Sequence, residues 1–172
     1  MILGIFLFHI MQLLQLQSPS QVVPINLQKP LTVCEVLADL PKYRGSVIQV
    51  RDEWLGTNLY GRDCAPPRTG PYVWEPAIWL IEPTSPILEK QGTPVPWSLD
   101  QRAYDQAVRE LRIRGNQAVI ATFVGRLESR AEGLQTARGG GDNLVGNGYG
   151  HLARFPAQLV IATVKDVTEK KQ

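Results

Sequence analysis

SLDQRAYDQAVRELRIR, residues 98–114, reads as an amphipathic helix, and its place in the chain decides the fold. Leu99, Ala103, Ala107 and Leu111 recur every four residues, and Tyr104 and Val108 widen the stripe they form. Ser98 followed by Gln101 fits a capping box. Asp100 near the start and Arg109, Arg112 and Arg114 near the end suit the helix dipole. Gly115 then supplies the C-terminal cap.

Three strand-like stretches precede this helix. Gly45-Ser46 opens the first, with Ile48, Val50 and Trp54 on one face and Gln49, Arg51 and Glu53 on the other. Such alternation marks a half-buried strand. Gly56-Thr57-Asn58 turns the chain into a short second strand, Leu59-Tyr60-Gly61, which ends near Cys64. Residues 65–71, APPRTGP, are a turn-rich loop. The third strand is AIWLI, residues 77–81, an apolar run suited to burial on both faces. Residues 82–97 hold Pro83, Pro86, Pro94 and Pro96 and read as irregular connection. Two strands follow the helix: 117–128, QAVIATFVGRLE, where Gly125 marks a bulge, and 158–167, QLVIATVKDV. Residues 168–172, TEKKQ, read as a polar, frayed tail.

The order strand-strand-strand-helix-strand-strand is that of an OB-fold. The expectation is a mainly β, OB-fold-like, five-stranded Greek-key barrel with one helix between strands three and four. A short helix precedes the barrel. Thr32 and Glu35 form a capping box for VCEVLADL, which Pro41 should end. Val33, Val36, Leu37 and Leu40 make a stripe that would plug one end of the barrel.

The 172 residues suit one domain, and 44% hydrophobic with 20% charged residues is an ordinary globular balance. A net charge of +2 gives no broad footprint for nucleic acid, which is not favoured as a partner. The first segment, MILGIFLFHIMQLLQLQSPS, is apolar and uncharged, yet shorter than the roughly 20 apolar residues that span a bilayer. With small residues at Ser18 and Ser20 it reads as a signal peptide, 1–20, although it lacks an early Lys or Arg. Retention as a membrane anchor and burial as a first element are the alternatives. Residues 21–31 read as a linker and 32–167 as the domain.

The two cysteines, Cys34 and Cys64, are natural disulfide partners in an exported chain. Two separate buried thiols are the other reading. No Cys/His cluster suggests zinc, and the sequence suggests no cofactor. A periplasmic or secreted location follows from leader and cysteines together.

The stretch ARGGGDNLVGNGYGHLARFP, residues 137–156, is the one low-complexity segment. It falls between the last two strands, beside the usual ligand face of an OB-fold. Backbone amides of its glycines can cradle an anion, with Arg138, Asn147, Tyr149, His151 and Arg154 as candidate ligand contacts. A flexible, solvated loop is the competing reading. Leu144, Val145 and Leu152 are its candidate anchors. GNGYG is neither a dinucleotide fingerprint nor a phosphate-binding loop. His151 is the one histidine outside the leader, with Asp142 the nearest upstream carboxylate. Arg126-Leu127-Glu128-Ser129-Arg130 reads as a salt-bridged strand rim. Trp54 and Trp79 read as core and Trp74 as a surface residue.

The stretches VCEVLADLPKYRGSVIQVR and GHLARFPAQLVIATVKDV resemble a group of small exported bacterial proteins of unknown function. The resemblance covers most of residues 32–167. It implies an OB-like domain in the envelope and nothing about catalytic residues. The leading expectation is therefore an exported non-enzymatic binding module for a small anion, a glycan or a protein partner. One alternative is a phosphoester hydrolase using His151 and the nearby arginines. Another is a structural envelope protein. Membrane contact is expected only through an uncleaved leader.

Overall fold

The computed structural model describes residues 29–93, 95–113, 117–140 and 143–170. The leader, most of the linker, Gly115 and Asp142 lie outside these residues. In chain order the elements are α1 (Val33–Ala38), α2 (Leu40–Tyr43), β1 (Val47–Leu55), β2 (Asn58–Tyr60), β3 (Arg68–Thr69), β4 (Tyr72–Val73), β5 (Ala77–Ile81), α3 (Pro86–Lys90), α4 (Gln101–Ile113), β6 (Val119–Ser129), β7 (Thr136–Arg138), β8 (Leu144–Gly146), a 3-10 turn (His151–Ala153) and β9 (Ala157–Glu169).

The protein is mainly β. Strands β1-β2-β5-β9-β6 close into a barrel, with β5 and β9 parallel and the other neighbours antiparallel. Inward residues of all five strands make the core, among them Val50, Trp54, Leu59, Ile78, Phe123, Leu127, Leu159 and Ile161. Trp54 meets Phe123 edge-on at 5.2 Å, a favourable aromatic geometry. Its indole N–H donates to the Gly56 carbonyl at 2.7 Å, so the burial leaves no orphan donor.

β9 accommodates two extra residues. Val124 pairs with Thr163 and Gly125 with Ile161, which leaves Ala162 unpaired. The bulge signalled by Gly125 thus has its additional residue on the partner strand. Gly125 itself is needed for close approach, because a Cβ there would lie 2.3 Å from the Val160 carbonyl oxygen. The Ala162 carbonyl is turned out of the ladder and accepts the Asp100 N–H at 2.7 Å. That bond ties the start of α4 to the barrel. Asp100, not Ser98, caps this helix: its carboxylate accepts the Ala103 N–H at 3.1 Å. Ala107 and Leu111 enter the core, Leu99, Tyr104 and Val108 pack against it, and Arg112 is exposed. Near the end of β9, Asp166 sits at φ 54°, and its carbonyl accepts a bond from Arg51 at 2.8 Å.

Several local expectations are corrected. The N-terminal helix is two helices. α1 carries the expected Thr32–Glu35 capping box, but Asp39 ends it and caps α2, so Pro41 lies in a first turn. Residues 82–97 contain α3, capped by Ser85, whose Leu88 packs on Ile81 and Val160. β9 runs on through Glu169 and takes in residues read as tail. Leu31, read as linker, is pinned to β1 by bonds with Gln49 and Arg51 at 2.9 and 2.8 Å. Glu53, read as facing solvent, is 3% exposed. Arg62 and Lys170 reach it at 2.6 and 2.5 Å, and the Arg62 bonds lead in holding its carboxyl below the usual glutamate range.

Cys34 and Cys64 form a disulfide with Cα atoms 5.2 Å apart. It joins α1 to the segment after β2, and it fits an oxidising compartment. Among the described residues no helix is long and apolar enough to cross a membrane.

Candidate binding face and the glycine-rich segment

The described residues of 130–156 form a packed lobe. β7 and β8 pair as a hairpin with Thr136 opposite Gly146 and Arg138 opposite Leu144. The missing side chains of its glycines are filled by an aromatic ring. A Cβ on Gly146 would lie 2.4 Å from the Trp74 ring, and one on Gly148 would lie 2.3 Å from the Phe155 carbonyl oxygen. Trp74 is therefore buried, at 1% exposure, which corrects its reading as a surface residue. Its N–H donates to the Thr69 hydroxyl at 3.0 Å, and Tyr72 meets it edge-on at 4.9 Å. The β3–β4 hairpin and the glycine-rich segment thus share one small core. Arg130 closes it, donating to the Asn147 and Gly148 carbonyls at 2.6 and 3.1 Å. Leu144, Val145 and Leu152 do not anchor the segment; all three are exposed.

The five candidate ligand contacts do not converge. The Asn147 side chain accepts the Gln135 N–H at 2.9 Å and donates to the Gly133 carbonyl at 3.0 Å, so it braces the lobe. Tyr149 is buried against Ala77 and Phe155, with the Arg130 guanidinium 4.5 Å from its ring centre. Burial pushes its hydroxyl pKa up. Arg154 pairs with Glu75 at 2.5 Å. Arg138 and His151 are exposed. The Arg126–Glu128 pair forms as expected of a strand rim, and Arg126 also donates to the Thr93 carbonyl at 3.1 Å. Among the described residues no group of three or more His, Cys, Asp or Glu side chains is placed to hold a metal ion.

A different surface carries chemistry that is still available. Across β2, β5, β9 and β6 one row of paired residues runs Asn58, Trp79, Gln158, Glu128. Ile78 and Leu80 point inward, so strand alternation turns Trp79 outward. Trp79 is half-buried between two small clusters, one with Tyr149 and Phe155 and one with Ile81, Leu88 and Val160. Asn58 and Gln158, on either side of it, each keep a buried side-chain oxygen without a hydrogen-bond partner. Below Trp79 a cleft of about 380 Å³ opens between the β1–β2 turn, the end of β5, residues 82–86 and Tyr104 of α4. Burial leads in raising the Tyr104 hydroxyl pKa, and the nearby Glu82 carboxylate adds to it.

The sequence held a signal for this face: in AIWLI only alternation separates an outward Trp79 from its inward neighbours. Reading the run as buried on both faces hid it. Comparison of the chain with models of protein families, with curated proteins and with solved structures gave no match.

Proposed function

We propose that the chain is an exported, non-enzymatic binding module on an OB-fold, and that its ligand lies on the outer face of β2 and β5. The strand order and the single parallel pair, β5 with β9, support the OB-fold reading. Residues 82–113 bridge β5 to β6 in the position of the OB-fold helix, with α3 added before α4. The disulfide and the apolar leader support export to the periplasm or beyond the cell.

The observation that carries the binding reading is Trp79. A half-exposed indole stands on the face that OB-folds use, above an open cleft and between two amides with unpartnered oxygens. Side chains of the glycine-rich lobe are mostly spent on its own packing. The lobe packs on this face through Tyr149 and Phe155, which cluster with Trp79.

The test is native mass spectrometry of the protein recovered with its leader processed, from cells that export it. A retained mass on the wild type, absent from Trp79→Ala, is expected. A mass retained equally by both proteins, or by neither, overturns the assignment of this face.

A further inference from the structure

We propose that the cleft below Trp79 binds one sugar ring of a neutral or amino-substituted glycan. This rests on the binding-module reading and narrows its ligand from anion, glycan or protein to one class.

The argument begins with what lines the cleft. Two aromatic side chains, Trp79 and Tyr104, stand with three hydroxyl residues, Thr57, Thr84 and Ser85, and one carboxylate, Glu82. Among the described residues no Lys or Arg lines it. A phosphate, a sulfate or an acidic sugar would meet the Glu82 charge with no cation to offset it. A purely apolar ligand would bury hydroxyls without partners. A sugar ring satisfies both demands. Its C–H face is apolar and lies flat on an aromatic ring, and its rim carries hydroxyls that donate and accept. Glu82 accepts from ring hydroxyls, or pairs with the ammonium of an amino sugar.

Asn58 adds a second line of argument. It follows Thr57, which lines the cleft, and pairs with Trp79, but is not itself a lining residue. Its side-chain amide donates to the Tyr60 hydroxyl at 3.2 Å, while its oxygen is buried and unpartnered. Exchange of the amide's two ends moves the unmet group without removing it, since the Tyr60 hydroxyl satisfies only one end. Unmet buried polar groups are rare and call for a partner. Because that oxygen has almost no exposed surface, a ligand hydroxyl in the cleft reaches it only if the turn at Thr57 shifts on binding. The cleft volume, about 380 Å³, lies at the small end of ligand sites, and its open mouth lets a chain continue on either side of one bound ring.

The test uses the full exported chain on an array of neutral, amino-substituted and acidic oligosaccharides, followed by calorimetry with the best tetrasaccharide. Binding should occur on neutral or amino-substituted glycans. Trp79→Ala should weaken it about tenfold or more, as truncating a central aromatic anchor does. Trp79 also packs on neighbouring clusters, so Thr84→Trp provides a second test: Thr84 is exposed at the cleft, and a large side chain there fills it without entering the core. That variant should keep its melting temperature and lose binding, while Arg112→Ala, exposed near the far end of α4, should bind as the wild type does. Sugar binding that survives Thr84→Trp overturns the assigned cleft. Binding confined to acidic glycans, inorganic phosphate or peptides, and lost in both variants, overturns the sugar class and leaves the binding face standing. No binding to any glycan, together with no retained mass in the native spectrum, removes both.

Discussion

Trp74→Ala is the substitution that most directly tests whether the glycine-rich segment is a built part of the protein. The indole is 1% exposed, donates one hydrogen bond to Thr69, and covers Gly146 and Gly148. Truncating a fully buried tryptophan costs about 3–5 kcal/mol, the cavity included. Among the described residues, β7 and β8 pair with each other and not with the barrel ladder. The loss should therefore fall first on the lobe, as local opening, and only in part on global unfolding. Hydrogen exchange read by mass spectrometry separates the two. In Trp74→Ala, peptides over 134–149 should lose protection, while those over 47–55 and 157–169 should keep most of theirs. The control is Leu152→Ala in the same lobe. Leu152 is 65% exposed, and its truncation should change stability by about 0.5 kcal/mol or less. Wild-type amides at 136–138 and 144–149 that exchange as fast as an unfolded peptide would falsify the packed lobe outright. Equal effects of the two substitutions would show that Trp74 does not hold it.

Four further outcomes follow from the packing. Gly148→Ala should open the same lobe from the opposite direction, costing about 1–3 kcal/mol by overpacking against the Phe155 carbonyl and the Trp74 ring; an unchanged exchange pattern would contradict this. Reducing the Cys34–Cys64 bond, whose sequence separation is 30, should lower stability by roughly 3–4 kcal/mol in urea titrations, and a midpoint that does not move would refute the estimate. Leu111→Ala should cost about 2–5 kcal/mol and Arg112→Ala about 0.5 kcal/mol or less in the same titration, because Leu111 is buried and Arg112 is exposed; similar losses would mean that α4 is rotated. Glu53 has a carboxyl pKa below its ordinary value of 4.5, so its stabilisation is present above pH 4.5 and is lost as pH falls through the lower folded value. Asp52, raised above 3.8 chiefly by burial, has the opposite sign and gains stability as pH falls through its raised value. Glu53→Gln should thus flatten the acid limb of the stability profile, and an unaltered limb would remove Glu53 from the account.

The parts of the fold that were legible share a property: their signal is local. α4 shows its stripe within one segment, though not which residue caps it, and β1 and β6 show their alternation or apolar run without outside help. The disulfide was legible because two cysteines in a chain with an export-like leader leave one pairing. The parts that misled depend on partners far away in sequence. Glu53 looks like a solvent-facing position of β1 until Lys170, 117 residues on, is brought to it by β9. Trp74 lies in a proline-flanked turn region and looks exposed. Its burial is decided by Gly146 and Gly148, which no periodicity connects to it.

Glycine is ambiguous in the same way, and that ambiguity is what makes the segment read as a candidate site in the sequence. A glycine-rich run loses more entropy on ordering than any other composition, so alone it reads as flexible. The same absence of Cβ lets a ring or a backbone approach to contact, and then it reads as packing. Nothing inside residues 137–156 distinguishes the two; the deciding group is an indole contributed from between β4 and β5. Once that indole is seated, the segment's polar side chains are drawn into bracing it: Asn147 onto Gln135 and Gly133, and Arg154 onto Glu75. A ligand recruited by those residues would have to break these bonds first, which subtracts from its affinity. Trp79 and the cleft beneath it make no such demand, since a ligand there would add partners to the cleft hydroxyls without removing any. On the proposed reading the lobe packs on Trp79 through Tyr149 and Phe155 and leaves the cleft on its other side for a ligand.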